Sequence, residues 1–530
     1  MSDTASPSPI TANPADAAAA NPANAKRQRE QVDTLLARPV VSANASITLD
    51  SGRALPYQVR AGFIPVLAGG LDAQRGEPQA AVFTVAYLAD AGPTSTSTSP
   101  STAPQPQPQP QRPVCFAFNG GPGSSSIWLH LGALGPKRVA VNDDGSLAAA
   151  PYAVQDNPLT WLAFFDLVFI DPPHTGWSIS ASDAARKQQL SVDGDVDALA
   201  EVMRGWLAAN QRFGAPLYLA GESYGTTRAA ALTDRMLDLG LAFSGVILVS
   251  CAMDLQALIF APRNDLPYAL FLPGFAAAAQ YHGTLKGLLA ASAEAARTAA
   301  EDFVQTDYLT ALHAGARLDP RAAHRIEKRL AELTGLPLTV VQENNLRISD
   351  STFFVEALRP RGHLLGRLDA RATAPMATTR ERVMLFDPGI EGMVAPFTTA
   401  MLGYFGALGL PVAERYETLS MEVHNAWRWQ RAGRNGADGM VEANGFTSTS
   451  PDLARAMRRN PHLKVLVASG RYDLGTPYSA SDWSLAQLDA PASVLARITH
   501  HYYDGGHMMY TRPADLAQLH ADLAAWLAVG

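Results

Sequence analysis

Residues 216–239 constrain this chain more than any other stretch. Pro216-Leu217-Tyr218-Leu219-Ala220 is an apolar run of strand length, Gly221-Glu222-Ser223-Tyr224-Gly225 follows it, and Thr226 to Leu239 reads as a helix. A G-x-S-x-G string between strand and helix is the setting of a sharp, strained turn that lifts a serine hydroxyl clear of a sheet edge. Gly221 and Gly225 carry no side chain, so strand and helix can close around Ser223. Such a string also arises by chance among small residues, so the meaning of Ser223 depends on the polar residues elsewhere.

The chain is 530 residues long, which suits one large domain with an insertion, or two domains. Hydrophobic residues make up 47% and charged residues 17%, enough to bury a core over most of the length. The formal charge of −7 and the lack of a basic run argue against a nucleic-acid partner. No run of ~18 or more apolar residues predicts a transmembrane helix. Cys115 and Cys251 read as buried thiols; two cysteines make no disulfide scaffold, and no ligand spacing suggests zinc. Asp3, Pro14 and Pro22 interrupt what a secretory signal would need, so a cytoplasmic location is expected, or a periplasmic or secreted one if the start is truncated.

Residues 1–40 are predicted to be disordered or weakly ordered, being Ala, Pro, Ser and Asn over most of their length. Strands are expected near Ser46–Leu49, Leu55–Arg60 and Val82–Leu88. A Ser/Thr/Pro and Pro-Gln stretch, 91–113, reads as an exposed low-complexity insertion between neighbouring strands. Val114–Phe118 is a buried strand running into Asn119-Gly120-Gly121-Pro122-Gly123-Ser124-Ser125-Ser126. That loop is either a tight structural turn or a set of backbone N–H groups offered to a ligand. Further strands are expected at Asp166–Ile170, Gly245–Cys251, Leu463–Ala468 and Arg497–Tyr503, alternating with helices as a largely parallel sheet requires. Residues 41–254 and 421–530 thus read as two parts of one sheet-based core. Residues 255–420, Ala-rich and without a strong strand, read as a helical cap insertion.

Two further loops follow strands: Ser469-Gly470-Arg471-Tyr472-Asp473 and Asp504-Gly505-Gly506-His507. Loops after parallel strands share one sheet edge, so both belong with Ser223. A serine hydroxyl needs an imidazole to take its proton, and the imidazole needs a carboxylate to fix its tautomer. The order Ser, Asp, His is that of the α/β-hydrolases.

These stretches, in order over residues 45–530, resemble the serine carboxypeptidase family. Asn119–Ser126, the ending Leu134-Gly135-Pro136, Gly221–Gly225, Tyr472-Asp473 and Gly506-His507 carry the likeness. The resemblance implies an α/β-hydrolase fold: a mostly parallel sheet, helices on both faces and a helical cap. It implies peptide substrates cut at the C-terminal bond through an acyl-enzyme. Ser223 would be the nucleophile, His507 the general base and Asp473 the orienting carboxylate. The amides of Gly121 and Tyr224 would form the oxyanion hole. Asn119, Gly120 and Glu222 would hold the substrate's terminal carboxylate. No metal or organic cofactor is implied. Two carboxyl groups share a hydrogen bond only if one is protonated, so activity is expected to favour acidic pH.

The chain departs from the family pattern at three points. Ala117 stands where a tryptophan is usual, Ala133 where a second glutamate joins the carboxylate network, and Ser124 where a cysteine is usual. An esterase or acyltransferase on the same triad, or a non-catalytic binding protein of this fold, therefore stays open, as does a homo-oligomer. Asp504 rivals Asp473 for the triad. His130, His174, His424, His500, His501 and Asp171 could lie near the site, although surface or core roles suit them as well. Glu422 with His424 lacks a third metal ligand.

Overall fold

The computed structural model describes residues 22–71, 73–90, 111–378, 380–431 and 445–529. A ten-stranded sheet organises them. Its strands are β1 (Val41–Thr48), β2 (Ala54–Leu67), β3 (Pro78–Ala89), β4 (Val114–Phe118), β5 (Asp166–Ile170), β6 (Leu217–Glu222), β7 (Phe243–Val249), β8 (Lys464–Gly470) and β9 (Ile498–Tyr503), with the short strand Ile179–Ser180 paired on β3. The spatial order is β1-β2-β3-β5-β4-β6-β7-β8-β9. Pairing is antiparallel from β1 to β2, β3 and β5, and parallel from β5 through β9.

The central strands are continuous apolar runs because both sheet faces are covered. Cys115 and Ala117 of β4 enter one core, while Val114, Phe116 and Phe118 enter the other; Leu167 and Phe169 of β5 likewise oppose Val168 and Ile170. This is the two-residue period of a strand read on both sides. Helices α2 (Val192–Ala209), α3 (Tyr224–Asp238) and α8 (Ser450–Arg459) cover one face, burying Leu199, Met203, Trp206, Leu232 and Met457. Helices α7 (Pro388–Ala407) and α9 (Pro513–Ala528) cover the other with Phe397, Met401, Leu516 and Leu523. The protein is thus an α/β protein with a mostly parallel central sheet and helices on both faces.

Two expectations need correction. Residues 22–36, expected to be disordered or weakly ordered, form helix α1 (Pro22–Leu36), whose Val32 and Leu35 pack with Ala81 of β3. Composition understates such a helix, because tertiary packing of a narrow apolar face supplies its stability. Residues 1–21 and 91–110, which include most of the Pro-Gln stretch, lie outside the described residues. That stretch links strands that are not neighbours, since β5 lies between β3 and β4. The segment between β7 and β8, expected to be mainly helical, also holds a short antiparallel pairing of His363–Leu365 with Thr373–Pro375.

That segment also divides between two cores. Helices α4 (Leu266–Tyr281), α5 (Ala293–Phe303) and α6 (Pro320–Thr334) build a third core with Phe271, Phe275, Phe303, Leu330 and Phe353, which takes in Tyr472 and Leu474 from the loop after β8. Helix α7 instead belongs to the sheet core. Among the described residues no helix is long and apolar enough to cross a membrane.

Parallel strands bring their C-terminal ends to one rim. Asn119 leaves β4 there, Ser223 leaves β6, Asp473 follows β8 and His507 follows β9. Ligand sites of open α/β sheets form along such a rim.

Candidate active site

Strand β6 ends in a tight elbow. Ser223 adopts φ 60° and ψ −130°, a conformation L-residues rarely hold, and helix α3 starts at the next residue. The Ser223 N–H donates to Val249 O at 3.0 Å, fixing the elbow to β7. A methyl on Gly221 would come within 2.2 Å of Gly225 O, so the turn closes only around a bare backbone. A strained residue held by its surroundings is a recurrent mark of functional sites.

The structure brings Asp473 and His507 together. His507 Nδ1 lies 2.7 Å from Asp473 Oδ2. Asp473 is fully committed: Oδ1 accepts the N–H groups of Gly475 and Thr476 at 2.8 and 2.9 Å, and Oδ2 also accepts the Thr476 hydroxyl at 2.6 Å. Burial alone would raise its pKa, but the facing imidazole and these donors outweigh it and hold the carboxyl below its usual value. Burial likewise opposes charge on His507, and the Asp473 carboxylate, then Glu222, overcome it and raise the imidazole pKa. The His507 loop is pinned by its N–H to Leu368 O at 2.6 Å and by the Ser250 hydroxyl to His507 O at 2.7 Å. Asp504, the rival carboxylate, is exposed.

Glu222 is buried beside Ser223. Burial pushes its pKa up to about 7, opposed by His507, the Tyr510 hydroxyl and the Asn119 side chain, with Asp473 adding to the rise. The Tyr510 hydroxyl donates to Glu222 Oε2 at 2.5 Å. Asn119 Oδ1 accepts from Leu129 N at 3.0 Å, while its buried Nδ2 has no well-aligned partner among the described residues.

The loop after β4 presses on the elbow. A methyl on Gly120 would stand 2.5 Å from Tyr224 N and 2.6 Å from Gly225 N. Gly121 follows with φ 98°. The two candidate oxyanion amides, of Gly121 and Tyr224, thus sit on segments in van der Waals contact. Beneath them lies a buried ion pair: Arg228 Nε meets Asp195 Oδ2 at 2.6 Å, and Arg228 Nη1 donates to Asn119 O at 2.6 Å. The guanidinium lies 5.0 Å from the Phe118 ring centre and 5.2 Å from that of Tyr224. Arg228→Met is expected to cost about 3–5 kcal/mol in urea unfolding, because Asp195 is left buried without its partner. A loss under about 1 kcal/mol would contradict this structural role.

His130, His174, His500, His501 and Asp171 have structural partners. His130 stacks on Phe169 with centroids 4.1 Å apart, faces the Tyr87 hydroxyl at 2.7 Å and is pushed down to about 3 by burial. His174 Nε2 meets Ser180 Oγ at 2.8 Å. His500 Nε2 meets Ser469 Oγ at 2.9 Å, and His501 Nδ1 lies 3.7 Å from Asp522. Asp171 accepts Ser126 N and the Tyr416 hydroxyl, and burial raises it to about 6. Cys115 and Cys251 are free and buried. Ser124 Oγ accepts Trp128 Nε1 at 2.8 Å. No cluster of His, Cys, Asp and Glu among the described residues could hold a metal ion. Sequence reasoning missed Thr476, Arg228, Asp195 and Tyr510. Thr476 and Tyr510 each lie one short turn beyond a flagged residue, whereas the pair Asp195–Arg228 joins two helices with no local signal.

A serine elbow, a carboxylate-paired histidine and a glycine loop lie along one rim of this sheet, which has the α/β-hydrolase fold. Residues 102–244 match the sequence model of the serine carboxypeptidase family, a span that holds the Asn119–Ser126 loop and the elbow. It ends before Asp473 and His507. No curated protein gives a significant match. Solved structures that align include a proline iminopeptidase from Mycobacterium smegmatis, 11% identical, covering 92% of this chain and 98% of that one at a TM-score of 0.33. An acetylester hydrolase from Corynebacterium glutamicum is 12% identical, with 92% and 95% covered and a TM-score of 0.32. A rice cell wall degrading esterase from Xanthomonas oryzae is also 12% identical, with 91% and 95% covered at 0.32.

Proposed function

We propose that this chain is a serine carboxypeptidase in which Ser223, His507 and Asp473 form the triad. Ser223 Oγ attacks the carbonyl of the C-terminal peptide bond while His507 takes its proton. The amides of Gly121 and Tyr224 stabilise the oxyanion, and His507 returns the proton to the departing amino acid. Water then attacks the acyl-enzyme by the same route. Asp473, held by four donors, keeps the imidazole tautomer and stabilises its cationic form.

The observation that carries this reading is Glu222. A buried carboxyl that stays protonated up to about 7 can donate to a substrate carboxylate. The Asn119 side-chain amide, which lies against Glu222, offers a second donor beside it. A generic esterase has no use for such a pair next to its nucleophile.

The pH dependence follows by sign. Glu222 must be protonated to bind a terminal carboxylate, so that binding is present below about 7 and is lost as pH rises through it. His507 must be neutral to act as a base, so its raised pKa sets the loss on the acid side. The two groups are coupled: with one proton between them, the working form places it on Glu222, and a bound substrate carboxylate favours that placement.

The test compares N-blocked dipeptides with their C-terminal amides across pH. Turnover of the acids is expected to fall above about 7, and that of the amides to be much weaker below 7 and free of this fall. Glu222→Gln, neutral at all pH, removes the alkaline fall for acids. The second reading, an esterase, is favoured by Ala117 and Ala133, which thin the carboxylate site. It predicts turnover of simple esters far above that of the dipeptide acids and amides alike, with no fall tied to Glu222.

A further inference from the structure

Ala133 stands where the family resemblance places a second carboxyl in the carboxylate-binding network, yet Glu222 is not left without a partner. The segment His130–Leu134 is a wide π-type turn, and all of it is buried. Gly132 within it presents a bare Cα to the ring of Tyr510. A methyl there would come within 2.4 Å of Tyr510 Cε2 and 2.9 Å of Cδ2. The ring fills this side of the site, and its hydroxyl reaches Glu222 Oε2 at 2.5 Å. Tyr510 has no exposed surface and lies on the loop that carries His507.

We propose that Tyr510 is a positioning residue that takes the place of the missing carboxyl, holding Glu222 by one oxygen so that its other oxygen faces the terminal carboxylate of the substrate. This rests on the carboxypeptidase reading above. A second carboxyl and a phenol do different work in that position. A carboxyl shares a proton with Glu222 and sheds it as pH rises. The Tyr510 phenol, buried and facing a carboxylate, keeps its proton well beyond its ordinary range. It is therefore a permanent donor to Oε2. A donor to a carboxylate favours the ionised form, so Tyr510 also limits how far burial can raise Glu222. The groups that face Glu222 are His507 from the loop after β9, Asp473 from the loop after β8, Asn119 from the loop after β4, and Tyr510 itself. Of these, the Tyr510 hydroxyl is the group that reaches Oε2 at 2.5 Å, and it thereby sets the pH ceiling for acid substrates.

Tyr510→Phe removes the hydroxyl and keeps the ring. With an N-blocked dipeptide acid its KM is expected to rise about tenfold, the loss of the one hydrogen bond that orients Glu222, with kcat changed by less than about twofold. The alkaline fall in kcat/KM is expected to move up by about half to one pH unit, since Glu222 keeps its proton longer. Turnover of the N-blocked amino acid methyl ester, which has no terminal carboxylate, stays unchanged. Gly132→Ala, which displaces the ring from behind, is expected to repeat the KM effect, and thermal unfolding checks that each variant is folded. Parallel loss on acid and ester, or an unmoved alkaline fall in folded Tyr510→Phe, overturns the assignment of Tyr510. A wild-type enzyme that does not favour the acid over its amide refutes the carboxypeptidase reading and this inference together. A clear wild-type preference with an unmoved Tyr510→Phe profile refutes the inference alone.

Discussion

Ser223→Ala is expected to lower kcat/KM for N-blocked dipeptides by about ten-thousand-fold or more, with the fold intact. The elbow strain is borne by φ 60° and by the Val249 bond, both backbone features, so alanine can occupy the position. What is lost is the atom that forms the acyl bond. His507→Ala should cost a comparable factor, since without a base the hydroxyl is a poor nucleophile near neutral pH. The double variant should be no worse than either single one, because the two residues act as a unit. Stopped-flow acylation of a nitrophenyl ester separates this from a binding defect. A Ser223→Ala enzyme that retains more than about a tenth of wild-type kcat/KM would place the chemistry elsewhere.

Gly120→Ala is the second large effect, and it works through the backbone. The added methyl would lie 2.5 Å from Tyr224 N, 2.6 Å from Gly225 N and 2.8 Å from Glu222 O. None of these is a flexible side-chain end that can step aside. The loop must move, and it carries Gly121 while pressing on Tyr224. Loss of one oxyanion donor costs about 10²–10³ in kcat, and the expected fall is of that size, with KM affected less. The elbow serine and His507 remain, so a reactive probe should still label the variant, only slowly. Normal turnover in a folded Gly120→Ala enzyme would show that the loop after β4 does not shape the oxyanion site.

The parts of this site that were legible in the sequence share one property: each is local. The elbow is a five-residue string between a strand and a helix, the Asp473 loop follows an apolar run, and the His507 loop is a glycine-flanked turn after the last strand. The central strands could be read because full burial on both faces leaves an unbroken apolar stretch, as at Val114–Phe118 and Asp166–Ile170. Helix α1 was not legible, because its stability comes from Val32 and Leu35 meeting β3 rather than from its own composition. The order of β5 and β4 was also hidden, since sequence order does not fix sheet order. Tyr510 was missed for the same reason. Its role depends on the empty face of Gly132 in a different part of the chain, and no spacing rule connects residues so far apart.

The central claim is that His507 activates Ser223 as a nucleophile, and covalent labelling tests it most directly. A fluorophosphonate probe is expected to add one equivalent to the wild-type chain, with peptide mass spectrometry placing the adduct on Ser223. The labelling rate should fall as pH drops through the raised His507 pKa, and Ser223→Ala and His507→Ala should not be labelled. A wild-type chain that takes up no probe, or an adduct on another residue that persists in Ser223→Ala, would contradict the account.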